Sequence, residues 1–237
     1  MKILNLYAGI GGNRKLWGNE HDITAVEINP DIAKIYQDFF PNDKVIVADA
    51  HQYLLEHFEE YDFIWASPPC PSHSKLRKGF SCNVGAKPIY PDMRLYQEII
   101  FLEGYFKGKW VVENVISWYN PLIRPYELER HYFWANFILP KVRIESGGIN
   151  ITGGYNETEE EQVSRLMKVY DFDLTNHTGN KRLLLRNCVN PELGLHILNY
   201  ATKNKQTTIN EGGVFTQAPV GVVELPLTPI PSEQKVN

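Results

Sequence analysis

The chain contains few cysteines. Its 237 residues include only three, an odd number, and none lies in a Cys-x-x-Cys pair or at the Cys/His spacing of a zinc site. This spacing excludes a disulfide framework and argues against a structural metal ion, so we expect no metal. A free thiol is then available for chemistry.

A long apolar run is also missing. We find no stretch of about 18 apolar residues and no basic-then-apolar N-terminus, so we expect a soluble cytoplasmic protein with no membrane partner. Excess positive charge is absent as well, because the formal net charge is −4 at pH 7. Any contact with nucleic acid must therefore come from a local basic patch.

Short apolar runs alternate with helical patterns along the first part of the chain. The runs end at Leu6, Val26, Val47, Trp65 and Val112, and residues 31–40, 51–57 and 93–106 between them show helical spacing. This alternation predicts the α/β class, with a doubly wound, mostly parallel sheet. An aromatic run at 131–139 predicts a further strand.

The composition changes near residue 140, where prolines and glycine pairs begin. We predict three regions, 1–139, 140–205 and a Pro/Gly-rich tail at 206–237. The middle region shows helical patterns at 157–170, 181–187 and 191–202. For the last of these, Asn190 is the predicted N-cap and Pro191 the first helical residue.

A glycine turn follows the first predicted strand. Gly9, Gly11 and Gly12 permit a tight turn and a close approach of the backbone to a ligand. Glu27 ends the second strand, where a carboxylate can accept both ribose hydroxyls of a nucleoside. Such turns also occur in dehydrogenases and in structural loops, so the turn alone does not define the cofactor.

Three further residues could complete a nucleoside pocket. Asp49 follows the third strand, where it could accept a hydrogen bond from an adenine amino group. Tyr7 and Ile28 could pack against the adenine ring, or they could be ordinary core residues.

A cysteine and a carboxylate each stand at the end of an apolar run. Residues 66–70 read Ala-Ser-Pro-Pro-Cys, and residues 111–115 read Val-Val-Glu-Asn-Val. A Cys70 thiolate can add to carbon 6 of a pyrimidine and make carbon 5 nucleophilic. Glu113 can protonate or hydrogen-bond N3 during that attack. Alone, Glu113 and Asn114 could form a simple strand-end turn, and Cys82 and Cys188 are read as inert thiols.

In this order the four segments resemble the DNA cytosine-C5 methyltransferase family, over about residues 1–137. The resemblance implies a Rossmann-like fold that transfers a methyl group from S-adenosylmethionine to a flipped-out cytosine in double-stranded DNA. It also implies that region 140–205 recognises the target. By analogy, the chain resembles a small phage-type stand-alone enzyme that serves in restriction-modification.

The resemblance assigns site residues by position. The catalytic residues are Cys70, Glu113, Asn114 and Arg130, and the cofactor-binding residues are Tyr7, Gly9, Gly11, Gly12, Glu27, Ile28, Asp49 and Pro68. After Cys70, a flexible loop carries cations and no acid, and its predicted DNA contacts are Ser72, Ser74, Lys75, Arg77, Lys78 and Lys87. Such a charge run could also be a solvated face.

The chain departs from the family pattern in two places. The family's Gln-x-Arg-x-Arg segment is reduced to Arg130, and a C-terminal Gly-Asn-Ser-Val segment that helps to close the cofactor pocket is not evident. Two alternatives therefore stay open. One is an RNA cytosine-C5 methyltransferase, and the other is a catalytically degenerate DNA-binding protein of the same fold.

Overall fold

The computed structural model of the chain describes residues 1–76, 78–79, 87–142, 144 and 157–203. Its strands are β1 (Lys2–Leu6), β2 (Asp22–Glu27), β3 (Lys44–Val47), β4 (Phe63–Ala66), β5 (Lys109–Val115), β6 (Tyr126–Leu128) and β7 (His131–Ala135). They form one seven-stranded sheet in the order β3-β2-β1-β4-β5-β7-β6. The first five strands are parallel to their neighbours, whereas β7 and β6 are antiparallel. The predicted fold class is confirmed.

Helices cover both faces of the sheet. They are α1 (Pro30–Phe39), α2 (Ala50–His57), α3 (Arg94–Tyr105), α4 (Glu159–Tyr170), α5 (Lys181–Arg186) and α6 (Pro191–Thr202), with a short 3-10 turn at Phe58–Glu60. Buried residues of α2 and α3 share one apolar cluster with one face of the strands. Buried residues of α1, α4, α5 and α6 pack on the opposite face. This two-sided cover explains why the strands read as continuous apolar runs.

Polar caps set the starts of the helices. The Asn29 side chain accepts hydrogen bonds from the first turn of α1, and Pro30 occupies its first position. Thr158 forms a capping box with Glu161 at the start of α4. Asn190 caps α6, with Pro191 next to it, as the sequence predicts. These caps satisfy backbone donors that have no partner within the helix.

Helix α6 was assigned to the smaller region, but it belongs to the packing of the main sheet. Leu193 and Ile197 are fully buried in one cluster with Ile3 and Trp65. Gly194 lies so close to the chain that an added Cβ would be 2.2 Å from the Asn13 carbonyl oxygen. The boundary at 139/140 stays a prediction, but α6 completes one layer of the cover over the main sheet.

Two strand details differ from the expectation. Strand β7 ends at Ala135 and not at Leu139, because Asn136 turns to bond the β5 edge: its Oδ1 accepts from Trp110 N at 3.1 Å. Strand β6 was not predicted, because it is only three residues long and largely exposed. Within the described ranges, no helix is long and apolar enough to cross a bilayer. Arg77, Cys82 and the tail at 206–237 lie outside the described residues.

Candidate active site

Cys70 and Glu113 lie at the carboxyl ends of two neighbouring parallel strands. Ala66 of β4 is in register with Val112 of β5, so the segment after β4 runs beside Glu113. Asn114 fixes this arrangement, since its Nδ2 donates to the Pro68 carbonyl oxygen at 2.9 Å. The Asn114 Oδ1 accepts from Val115 N at 3.0 Å. Pro68 is buried, and Cys70 is half-buried at the mouth of the site.

Both side chains of this pair have a raised pKa. Burial, and then the Glu113 charge, raise the pKa of the Cys70 thiol to about 11, against the smaller effect of Arg130. Burial raises the pKa of Glu113 to about 7, although a hydrogen bond from Ser67 and the Arg130 charge oppose the shift. Near neutral pH the site therefore holds a protonated thiol beside a carboxyl group that can carry or release a proton.

Arg130 ties the start of β7 to the C-terminal helices. Its guanidinium donates to the Tyr170 hydroxyl at 3.2 Å and to the Cys188 carbonyl oxygen at 3.3 Å. Its charge still acts on Cys70 and Glu113, because it lowers the pKa of both. Arg130 thus acts on the pair through its field, while its direct contacts are structural.

The glycine turn and the end of β2 form one unit. Glu27 is nearly buried and accepts from Gly9 N and from Asn29 N, each at 3.0 Å. Gly9 has φ +55°, and a Cβ there would meet nothing within 4 Å, so space stands open on that side of the turn. At Gly11 a Cβ would instead lie 2.3 Å from the Phe40 ring. Gly9 therefore leaves one side of the turn open, and Gly11 allows tight packing.

The segment that follows α5 packs behind the same turn. A Cβ on Gly12 would lie 2.7 Å from Cys188 Cβ and 2.7 Å from the Val189 carbonyl oxygen. Asn187-Cys188-Val189 matches the Asn-Ser-Val part of the family's C-terminal segment, with a thiol in place of the hydroxyl. Burial raises the pKa of Cys188 to about 12, so this thiol is inert. The sequence hid this segment because serine is replaced.

A polar cluster beside the turn was missed by the sequence analysis. Glu98 on α3 is 1% exposed and accepts a hydrogen bond from the Tyr7 hydroxyl. The Nδ1 of His51 lies 2.9 Å from the same Glu98 oxygen. An acid on the face of α3 that also carries Leu95, Ile99 and Leu102 is the available signal.

The other predicted adenosine contacts are more open. Asp49 is exposed and caps α2, accepting from His51 N at 2.9 Å, and its second oxygen lies 3.7 Å from Arg94 Nη1. Ile28 is 65% exposed, as an apolar side chain that covers a ligand would be. Tyr7 is half-buried, with φ +57°.

The first part of the loop after Cys70 is held in place. Ser72 is buried, and its Oγ accepts from Asp92 N at 2.9 Å. Ser74 forms a β-bridge with Ser117, and Trp118 Nε1 donates to the Ser72 carbonyl oxygen at 3.1 Å. The Ser72 hydroxyl is buried and engaged with Asp92 N, while its role as a DNA contact and the flexibility of the loop stay predictions.

The lysines of this loop face outward. Lys75, Lys78 and Lys87 are exposed. Lys78 Nζ lies 4.6 Å from the centre of the Trp118 ring, in a cation–π contact that holds it near the site. In the described ranges, no three His, Cys, Asp or Glu side chains gather as metal ligands would.

Comparison with solved structures supports one class of fold. A DNMT2 mutant from Spodoptera frugiperda superposes with a TM-score of 0.54 at 16% identity, over 85% of this chain and 99% of that chain. Methyltransferase EhMeth from Entamoeba histolytica gives a TM-score of 0.49 at 13% identity, over 85% and 97% of the two chains. At such identities the likeness concerns the fold alone. A comparison with curated proteins finds no match.

The sheet order defines a Rossmann-like α/β fold, which the chain shares with the DNMT2 structure. Residues 1–101 match the family model described as C-5 cytosine-specific DNA methylase. The match supports the resemblance over this range of the chain.

Proposed function

We propose that the chain transfers a methyl group from S-adenosylmethionine to carbon 5 of cytosine in double-stranded DNA, through a covalent bond between Cys70 and the base. The observation that carries the proposal is the pairing of Cys70 with Glu113 at adjacent strand ends, with Asn114 bonded to the Pro68 carbonyl oxygen at 2.9 Å. A thiol and a carboxyl group that act on each other in one site suit attack on a pyrimidine ring.

The residues around the glycine turn fit the cofactor. The open side of Gly9, the strand-end Glu27 and the exposed Asp49 can receive a nucleoside, with Ile28 over its ring. Glu27 would accept the ribose hydroxyls while it keeps its bond from Gly9 N. When bound, S-adenosylmethionine supplies an electrophilic methyl group. The packing of residues 187–189 behind Gly12 favours a formed cofactor site over the degenerate alternative.

The chemistry of the chain's own residues can be followed atom by atom. The Cys70 Sγ bonds to carbon 6 of the base, and Glu113 holds the proton at N3, so that no negative charge is left on the ring. Carbon 5 thereby becomes nucleophilic. After methylation, the carbon 5 proton passes to solvent water and the bond from Sγ to carbon 6 breaks, which releases the thiolate and restores the aromatic ring. Glu113 takes back the proton from N3 and returns it to the thiolate. The base must leave the DNA stack first, because neither ring carbon is otherwise accessible to Sγ.

An adduct experiment tests this proposal. The protein is incubated with labelled S-adenosylmethionine and duplexes that carry 5-fluorocytosine, in which the missing proton at carbon 5 prevents release. We expect a denaturant-resistant protein–DNA adduct that maps to Cys70 and is absent from the Cys70→Ser variant. The Cys188→Ser variant, altered at a buried and inert thiol, is the matched control and should form the adduct.

Other outcomes of the same experiment contradict specific parts of the proposal. An adduct with RNA that carries the analogue, and none with DNA, would overturn the substrate. Cofactor binding without an adduct on either substrate would overturn the reaction. Failure to bind the cofactor would favour the degenerate DNA-binding protein.

The lysines beside the site are the proposed contacts to DNA phosphates. Lys75 and Lys78 are exposed within the segment that follows Cys70. Each lost phosphate contact lowers the dependence of log K on log salt by about 0.9. We therefore expect the double variant Lys75→Gln/Lys78→Gln to lower the slope by up to about 2. Lys34→Gln, on the exposed side of α1, is the control, and an equal slope in both variants would reject this surface.

A further inference from the structure

His131 is a buried histidine beside the proposed acid. It is the first residue of β7, and its Nε2 lies 3.7 Å from Glu113 Oε1, with 9% of each side chain exposed. In the antiparallel pairing, Val115 is opposite His131 and Glu113 is opposite Phe133. His131 and Glu113 are therefore diagonal neighbours on the same face of the sheet.

The other neighbours of Glu113 are few. Ser67 donates a hydrogen bond to it, and the Ser67 Oγ itself accepts from Trp65 Nε1 at 2.9 Å. Arg130 and Cys70 are the remaining charged or titratable groups that act on it in the described part of the chain. His131 is thus the nearest imidazole to the acid, and its other nitrogen, Nδ1, is buried without a hydrogen-bond partner among the described residues.

The imidazole of His131 is neutral. Burial, and then the Arg130 charge, lower the pKa of His131 to about 3. A neutral imidazole carries one N–H and one acceptor nitrogen. With the proton on Nε2, the ring presents a single donor towards Glu113 Oε1. The 3.7 Å separation is about 0.7 Å longer than a hydrogen bond, and such contacts often tighten only when substrate is bound.

We propose that His131 is a positioning residue for Glu113: its Nε2–H holds one carboxyl oxygen, so that the other oxygen carries the proton towards N3 of the base. The inference rests on the proposed function, because that function places a cytosine next to Glu113. The donor fixes the rotation of the carboxyl group. It also stabilises the carboxylate that remains once the proton has moved to N3.

The test compares two substitutions. His131→Leu removes the donor and keeps an apolar side chain in the buried position, whereas His131→Gln keeps an N–H donor. With the leucine variant we expect adduct formation to slow by roughly tenfold, about the effect of one lost hydrogen bond to a group that becomes charged. Cofactor affinity should not change, since Glu113 lies outside the glycine turn, and glutamine should restore most of the rate.

A pH profile separates positioning from mere packing. The kcat/KM value should rise with pH and level off near the pKa of free Glu113, about 7. Loss of a donor raises a carboxyl pKa, so the levelling point should move upwards in His131→Leu and return in His131→Gln. Tyr132→Phe, the next residue of β7 on the opposite face, is the control and should change neither quantity.

The outcomes distinguish the two proposals. If the natural protein forms no adduct and transfers no methyl group, the proposed function fails. If it does both, and His131→Leu matches it within about twofold with an unmoved levelling point, the inference on His131 fails. Should His131→Leu not fold, as judged by its thermal transition, His131→Ala also removes the donor and provides the same pH comparison. An unmoved profile in that variant overturns the inference as well.

Discussion

Substitution of Gly194 tests whether α6 supports the glycine turn. An added Cβ at this position would lie 2.2 Å from the Asn13 carbonyl oxygen and 2.8 Å from its Cα and carbonyl carbon. All three contacts are with backbone atoms, which cannot rotate away. Asn13 directly follows the glycine turn and is held by its Nδ2, which donates to Asn5 Oδ1 at 2.8 Å. In Gly194→Ala, either α6 or the turn must therefore move.

The magnitude follows from two opposing effects. Overpacking of a dense core costs about 1–3 kcal/mol. Replacement of a helical glycine by alanine returns up to about 1 kcal/mol. Gly104 on α3 provides the second effect without the first, since a Cβ there would meet nothing within 4 Å. The two alanine variants should therefore differ in unfolding free energy by about 1–3 kcal/mol, with Gly194→Ala the less stable.

Thermal unfolding and cofactor calorimetry provide the measurements. At about 2–4 °C per kcal/mol for a chain of this size, Gly104→Ala should melt roughly 2–12 °C above Gly194→Ala. Gly194→Ala should also bind S-adenosylmethionine more weakly, because the displaced segment adjoins Gly9. Equal melting temperatures and equal cofactor affinity in the two variants would refute the reasoning that α6 is wedged against the turn.

Three further predictions concern charge and burial. Glu113→Gln should stabilise the protein at pH 8 by up to about 3 kcal/mol, since folding raises this carboxyl pKa from 4.5 to about 7 and ionised Glu113 costs stability above that range. The gain should shrink as pH falls towards 5, and a pH-independent difference in chemical denaturation would contradict it. Alkylation of Cys70, followed by peptide mass mapping, should speed up about tenfold per pH unit up to about pH 10, because the thiol pKa is about 11. A rate that levels off near pH 8 would show an activated thiol instead. Asp43→Asn should cost about 3–5 kcal/mol in urea unfolding, because it strands the buried Arg14, whose Nε donates to Asp43 at 2.8 Å. Asp171→Asn, at an exposed ion pair, should cost less than about 1 kcal/mol, and similar losses in both variants would argue against a buried pair.

The sheet and the positions of Cys70 and Glu113 could be predicted from the sequence for a physical reason. Buried parallel strands must be apolar throughout, so their ends are visible as the first polar residues after each run. Glu27 and Glu113 stand at such ends, and Cys70 follows one. Strand β6 gave no such signal, because only Leu128 of its three residues is buried.

Residues that act through tertiary contacts could not be found in this way. Glu98 accepts a hydrogen bond from Tyr7, which is 91 positions away in the sequence. His131 lies near Glu113 only because β7 pairs antiparallel with β5. The segment at 187–189 was hidden by a single exchange of serine for cysteine. This segment packs against Gly12 because α6, which follows it, covers the same face of the sheet as α1. The sequence alone does not show that shared face.

The two perturbed pKa values together constrain how the proposed attack by the Cys70 thiol can proceed. At pH 8 the prevailing form has a protonated Cys70 and an ionised Glu113, since their pKa values are about 11 and about 7. The attacking form needs the thiolate and the protonated acid, which contain the same number of protons. Moving one proton from sulfur to carboxyl is uphill, because the thiol has the higher pKa.

Because the two forms differ only in where one proton sits, kcat/KM should be flat between about pH 8 and pH 10 and should fall tenfold per unit well below pH 7. A steady rise through pH 9 would mean that Glu113 takes no part as an acid. The flat region has a mechanistic consequence. Since the proton must reach N3 as Sγ bonds to carbon 6, a base that cannot accept a proton at N3 should react much more slowly, however well it fits the site.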